Sequence, residues 1–263
     1  MLRALWNSKS GLIAQQNKLD SISNNLANVN TVGYKREDVS FQELVQETLK
    51  RKGYPTSDRP EIQTGTGVKA TNWIRDTYQQ GTLLTTGNKT DLAIDGQGFF
   101  RVIMADGDYA YERAGNFVID RNGMLVDENG NALDIQLKQP EGMQILNRIG
   151  GFDANNINIA EDGSISVRDT DGLNKVVGKI NIYNAVGADA FLSIGRNLYL
   201  PRDGVNVFVN NDVSILQGFL ENSNVDAGKE MTELIITQRA FELSSRGIKT
   251  ADEMWGIVNN MRK

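Results

Sequence analysis

Among side chains able to do chemistry, the sequence offers mainly carboxylates. Asp95, Asp106, Asp108, Asp120 and Asp127 are the ones set among turn residues, mostly beside glycine or asparagine. Two carboxylates across a cleft can hydrolyse a glycoside. Aspartate in such company is first of all a turn former, however, and no spacing sets one pair apart. Histidine and cysteine are both absent. That removes serine–histidine and cysteine–histidine catalysis, thiolate metal sites and disulfides. The glycine-rich stretches "GTGVKA" and "GQGFF" lack the full spacing of a dinucleotide cradle. "TGNKT" separates Gly87 from Lys89 by Asn88, so it is not the end of a phosphate loop. "DENGNALD" begins like a calcium loop, but Ala132 stands where the loop needs glycine. Asn88-Lys89-Thr90 is a formal glycosylation sequon without a supporting context. No catalytic residue, metal site or cofactor is expected, and an enzyme or carbohydrate binder is the remote alternative.

The elements that would position such groups fall into three textures. Residues 1 to about 32 hold only Arg3, Lys9, Lys18 and Asp20 as charges, and Leu5, Leu12, Leu19 and Leu26 recur every seven residues. This predicts a helix with a coiled-coil-like seam. Gly33 is placed to end it in a left-handed conformation, with Tyr34 following, and Gly11 weakens the helical pattern. Residues 225–261 repeat the texture: Ala227, Leu234, Phe241, Ile248 and Trp255 are again seven apart. Asn224 or Asp226 is a candidate cap, with Glu230 in the first turn. Between about 68 and 220 lie short apolar runs such as "FFRVIM", "SISV" and "KINIY", separated by "ADGD", "DRNG", "DENGN", "AEDGS" and "DTDG". That is a hairpin-rich β pattern.

The expected architecture is α+β, mainly β. Long N- and C-terminal helices pair as a coiled-coil-like core (1–35 and 222–263). A connecting segment (36–67) leads to an inserted all-β domain (68–221). The segment 36–67 includes one amphipathic stretch, Phe41, Leu44, Val45 and Leu49. Two helices share one seam, yet Leu234, Ile235 and Ile236 are consecutive and point to different sides. Apolar surface left over in this way marks an interface, so self-association through the chain ends is expected; periodicity alone fits equally a helix pair that covers one edge of the β domain. The net charge of −5 argues against nucleic acid or an anionic membrane as a dominant partner. No run of about 18 apolar residues occurs, so no membrane span is expected. The polar start after Trp6 does not suit a cleaved signal peptide.

Three segments carry a resemblance. "SNNLANVNTVGYK" resembles the N-terminal signature of the flagellar rod and hook (axial) protein family. "SNVDAGKEMTELIITQRAFELSSRGIKTADEM" resembles its C-terminal motif, and "TDLAIDGQGFFRV" with "YERAGNFVIDRNGMLV" resembles its shared β region. Within the family the chain looks most like the distal rod branch; a proximal rod or hook-type adaptor is the alternative. The resemblance implies a structural subunit of the bacterial flagellar basal body that forms a helical polymer through its terminal helices and transmits torque from motor to hook. It implies type III export without a cleaved signal, and it implies the export apparatus and other rod and hook proteins as partners. The residues expected at the assembly interface are Leu5, Leu12, Leu19, Ile22, Asn25, Leu26, Asn28, Val29, Gly33, Tyr34, Met231, Leu234, Ile235, Phe241, Ile248 and Trp255. Gly172 is expected in a surface turn that tolerates substitution.

Overall fold

The computed structural model describes residues 2–43, 46–48, 63–65, 68–77, 79–138, 141–153, 156–168, 173–187 and 190–261 of the 263. Gly172, Leu44, Val45 and Leu49 lie outside the described residues. The chain forms two compact units. One comprises Met1–Ala27, Glu37–Ile74 and Asp226–Lys263; the other comprises Asn28–Arg36 and Arg75–Val225. The described helices are α1 (Leu2–Ala27), α2 (Glu141–Ile149) and α3 (Ala227–Asn260). The α+β class holds: α1 and α3 pack together, and a β-rich region is inserted between them.

In the first unit, Asp226 caps α3. Its Oδ1 accepts the backbone N–H groups of Gly228 (2.8 Å) and Lys229 (3.2 Å), two donors that a helix start leaves open. α1 runs unbroken through Gly11 but stops at Ala27, short of the predicted residue 32. The strand Glu37–Glu43 pairs with Val68–Arg75, and Gln46–Thr48 pairs with Gln63–Gly65. Phe41 therefore sits on a strand.

In the second unit, Asn28 explains why α1 ends early. Its carbonyl accepts the Thr31 N–H (3.1 Å), and its side-chain oxygen accepts the Thr31 hydroxyl (3.2 Å). A local turn of this kind competes with helix. The left-handed glycine then comes where expected, with Gly33 at φ +68°. Its N–H donates to the Glu221 carbonyl at 2.8 Å. A Cβ there would lie 2.5 Å from the Ala114 nitrogen, so close approach as well as conformation demands glycine.

The largest sheet of this unit runs in the order Phe191–Gly195, Leu198–Pro201, Tyr109–Glu112, Phe99–Ile103, Ala132–Leu133, Leu125–Val126 and Val118–Ile119. The strand Ile182–Ala185 joins it through Phe99–Phe100. A second sheet orders Ile135–Leu137, Asn174–Ile180, Ser164–Arg168 and Ile157–Ile159. The predicted apolar runs supply the strands. Their inward side chains, including Phe100, Phe117, Leu125, Leu133, Ile157, Ile165 and Val177, form one buried core.

At one edge of that core sits a buried charge cluster. The carboxylate of Glu221 accepts from the Lys35 ammonium (2.8 Å), from Arg113 Nε and from the Gly81 N–H (2.8 Å). Both Lys35 and Glu221 have side chains only 1% exposed. The rest of the Arg113 guanidinium donates to the carbonyls of Ile94, Gly96 and Gly98. Lys35 donates its second bond to the Gln79 carbonyl at 2.9 Å. Burial and the neighbouring Arg113 hold the Lys35 pKa below its usual value, although Glu221 opposes them. Burial pushes Glu221 up, but Arg113 and Lys35 outweigh it and hold the carboxyl below its usual range. The Glu221 contribution to stability is thus present above the usual carboxylate pKa and lost as pH falls through the folded value.

These contacts give two expected outcomes in urea unfolding of the full chain. Glu221→Ala leaves two buried cations without an anion and costs about 3–5 kcal/mol. Lys35→Met leaves the Arg113–Glu221 pair neutral and costs less than half as much. Equal losses would mean that the cluster is not organised around Glu221. At the turn, Gly33→Ala exceeds the roughly 1 kcal/mol of backbone strain expected for Gly130→Ala, because Gly130 (φ +84°) has no atom within 4 Å of an added Cβ. Equal costs at the two glycines would remove the crowding argument.

Candidate assembly surface

The antiparallel pairing of α1 and α3 has a definite register. Asn25 Nδ2 donates to Glu230 Oε2 at 3.2 Å. A Cβ on Gly11 would meet Ser244 Oγ at 3.4 Å, and one on Gly247 would meet Ser8 Oγ at 2.8 Å. Fourteen residues back along α1 are matched by fourteen forward along α3. The most buried helix positions are Ala14, Ser21, Ile22 and Asn25 on α1, with Glu230, Thr237 and Ala251 on α3. Apart from Ile22, these positions carry small or polar side chains, and the helices approach closely where they cross.

Asn25 is the best-connected member. It donates to the Glu37 carbonyl (2.9 Å) as well as to Glu230, and it accepts the Glu37 N–H (2.9 Å). Ser21 donates to the same carbonyl at 2.7 Å, and the Lys18 ammonium pairs with Asp38 at 2.6 Å. The strand that begins at Glu37 is thereby stitched to α1. Asn25, expected at the assembly interface, is thus bonded within the chain.

The large apolar side chains are left outside. Leu5, Leu12, Leu19 and Leu26 are only half-buried and flank the seam, as are Leu234, Phe241 and Ile248 on α3. Met231, Ile235, Ile236 and Trp255 are exposed, and Leu243 is 67% exposed. By the register, Leu2 lies level with about Glu253, given the common rise of the two helices. Met254, Trp255, Ile257, Val258 and Met261 lie past that level on α3, and all are exposed. On α1 itself, Ile13 and Trp6 are exposed.

Four of the predicted interface residues are buried within the chain: Ile22, Asn25, Gly33 and Tyr34. Tyr34 lies under the Arg75 guanidinium, which also stands over Tyr199. Asn28 and Val29 are half-buried in the second unit. Sequence inspection missed Ser8, Thr237, Ser244 and Gly247, because small residues carry no hydropathy signal. It also missed Lys35, Arg113 and Glu221; the proximity of Lys35 and Glu221 to the two terminal motifs was the available clue.

Of the residues first weighed for chemistry, Asp106, Asp108, Asp120 and Asp127 lie in or beside turns, and Asp95 ends the strand Leu92–Asp95. Asp127 accepts the backbone N–H groups of Asn129 and Asn131, each at 2.8 Å, and Asp120 accepts from the Asn122 amide at 3.0 Å. The "GQGFF" turn presents carbonyls to Arg113, the opposite polarity to a phosphate cradle. Among the described residues no group of three or more acidic side chains is placed to hold a metal ion.

Three family models match the chain in order. The one described as Flagella basal body rod protein covers residues 5–35. The Flagellar hook protein FlgE/F/G D1 domain covers 93–167, and the Flagellar basal body rod FlgEFG protein C-terminal covers 216–261. The chain is 36% identical to the flagellar basal-body rod protein FlgG of Borreliella burgdorferi, with 100% of both chains covered. It is 37% identical to FlgG of Agrobacterium fabrum and 35% to FlgG of Bacillus subtilis, again with 100% of each chain covered. The seam, the glycine turn at Gly33 and the entry to α3 at Asp226 all fall within the terminal matches. The chain belongs to the FlgG family of flagellar basal-body rod proteins, the distal rod branch, and is a structural rod subunit.

Proposed function

We propose that the chain polymerises helically through its α1–α3 unit and that the polymer transmits torque from motor to hook. One observation supports this reading above the others. A helix pair seamed by small residues leaves its large apolar side chains outside, and further copies can cover them. Burying one such side chain contributes about 1.5–3 kcal/mol. The set on Met231, Ile235, Ile236 and Leu243, continued by the stretch from Met254 to Met261, offers many such contacts per subunit. The partners are other copies of this chain, neighbouring rod and hook proteins, and the flagellar export apparatus during delivery. None of the described helices is long and apolar enough to cross a membrane. Export without a cleaved signal belongs to the same proposal. The role requires no reaction and no cofactor.

Substitutions separate assembly from folding. Ile235→Asp and Leu243→Asp change exposed positions, so the melting temperature of the monomer stays within a few degrees, given surface effects of about 0.5 kcal/mol. Rod extension and swimming are lost in both. Gly247→Leu acts on the seam instead: it pushes α1 from α3 and destabilises the monomer by about 1–3 kcal/mol. Normal swimming in the Ile235→Asp and Leu243→Asp strains would contradict the proposal.

A further inference from the structure

The second unit contains a polar cavity of about 230 Å³. It lies between residues 30–32, the strand end at Glu112, the turn at 127–129 and residues 196–197. Glu112 lines it and is 2% exposed. Its Oε1 has no hydrogen-bond partner. Leaving a buried polar atom unpaired costs about 1–3 kcal/mol, so a hydrogen-bond donor brought to Glu112 would be favoured.

The surroundings indicate what would complete it. Asp127 and Glu128 line the same cavity, and their carboxylates already have partners. Asp127 holds the 129–131 turn, and Glu128 accepts from Asn116 Nδ2 at 2.6 Å. Arg196 is the basic residue in the lining. Burial first, then the charges of Asp127 and Glu128, push the Glu112 carboxyl up to about 9. The cavity therefore holds a neutral acid beside two further carboxyl groups. The missing partner is a hydrogen-bond donor with positive charge. The described residues offer no carboxylate group arranged for a metal ion. Around the cavity stand the amide and hydroxyl side chains of Asn30, Thr31, Asn129 and Asn197, which suit N–H donors. The volume has room for a planar or tetrahedral nitrogen head group and the carbons attached to it.

We propose that this cavity binds an organic cation, a guanidinium or primary ammonium group, with Glu112 as its counter-ion. On binding, Glu112 gives its proton to solvent, and the resulting carboxylate accepts N–H bonds from the ligand. The cation is either a basic side chain of a second copy or a free small amine. The site is independent of the α1–α3 surface.

The test uses the full chain with methylguanidinium and n-butylammonium as probes, titrated in buffers of different ionisation enthalpy. Saturable binding is expected, with release of up to one proton per site at pH 7–8. Glu112→Gln weakens binding at least about tenfold and abolishes proton release; Glu128→Gln weakens it less. The variants also report through folding. A raised carboxyl pKa gives stability that is full below the unfolded value near 4.5 and lost as pH rises through the folded value of about 9. Glu112→Gln therefore raises the melting temperature at pH 8 by at least about 2 °C, and the gap closes as pH falls below the unfolded value. Sedimentation then assigns the source: self-association reversed by the probes means a second copy, and self-association indifferent to them means a free amine. Absence of saturable binding by either probe, unchanged binding in Glu112→Gln, or preferential binding of magnesium would overturn the proposal.

Discussion

The close approach of α1 to α3 constrains the rest of the helical unit. A Cβ added at Gly247 would come within 2.8 Å of Ser8 Oγ, and one at Gly11 would touch Ser244 Oγ at 3.4 Å. Small side chains line these crossings; Ile22 is the large apolar residue buried near them, while Leu5, Leu12, Leu19 and Leu26 stay half-buried. Most globular helix pairs put their large apolar residues between them and their polar residues outside. Here the order is partly inverted, and a subunit built this way has an apolar exterior before it meets any neighbour. The polar bonds of the seam, Asn25 to Glu230 above all, fix the register where bulk cannot.

A different device operates in the β-rich unit. Residues 33–36 and 221–224 are held together by one buried carboxylate, by the Gly33 N–H on the Glu221 carbonyl (2.8 Å) and by the Arg36 N–H on the Asn224 side-chain oxygen (2.6 Å). Two cations on one anion is an expensive arrangement in a dry site. It is sustained by carbonyls that take the remaining N–H groups of Arg113 and Lys35. Such a cluster gives geometry rather than surplus stability. Lys35, Arg113 and Glu221 each lie in a family-matched region, 5–35, 93–167 and 216–261 respectively.

The outline of this fold was legible because its signals are large. Leucines seven apart mark α1, and the Asp-Gly and Asn-Gly turns between apolar runs mark the hairpins. Gly33 was legible as a left-handed residue, although the helix ends earlier, since the Asn28–Thr31 turn competes with it. The seam was not legible. Periodicity of large apolar residues finds the stripe that avoids water, and here a partner's surface can satisfy that stripe as well as α3 can. Serine and glycine at Ser8, Gly11, Ser244 and Gly247 look like weak helix positions until two backbones meet there. Glu112 and Glu221 show the same limit for charge. Each is one glutamate near the end of a short strand, and only burial and partners distinguish the anchored carboxylate from the unpartnered one.

The absence of native cysteine allows a direct measurement of which faces neighbours cover. Single cysteines would be placed at Ile235 and Leu243 on the outer face and at Thr237 in the seam, and thiol labelling compared between monomer and assembled rod. The account predicts that 235 and 243 label rapidly in the monomer and become protected in the rod, while 237 is protected in both. If 235 and 243 label as fast in the assembled rod as in the monomer, the outward apolar face is not the surface on which copies meet.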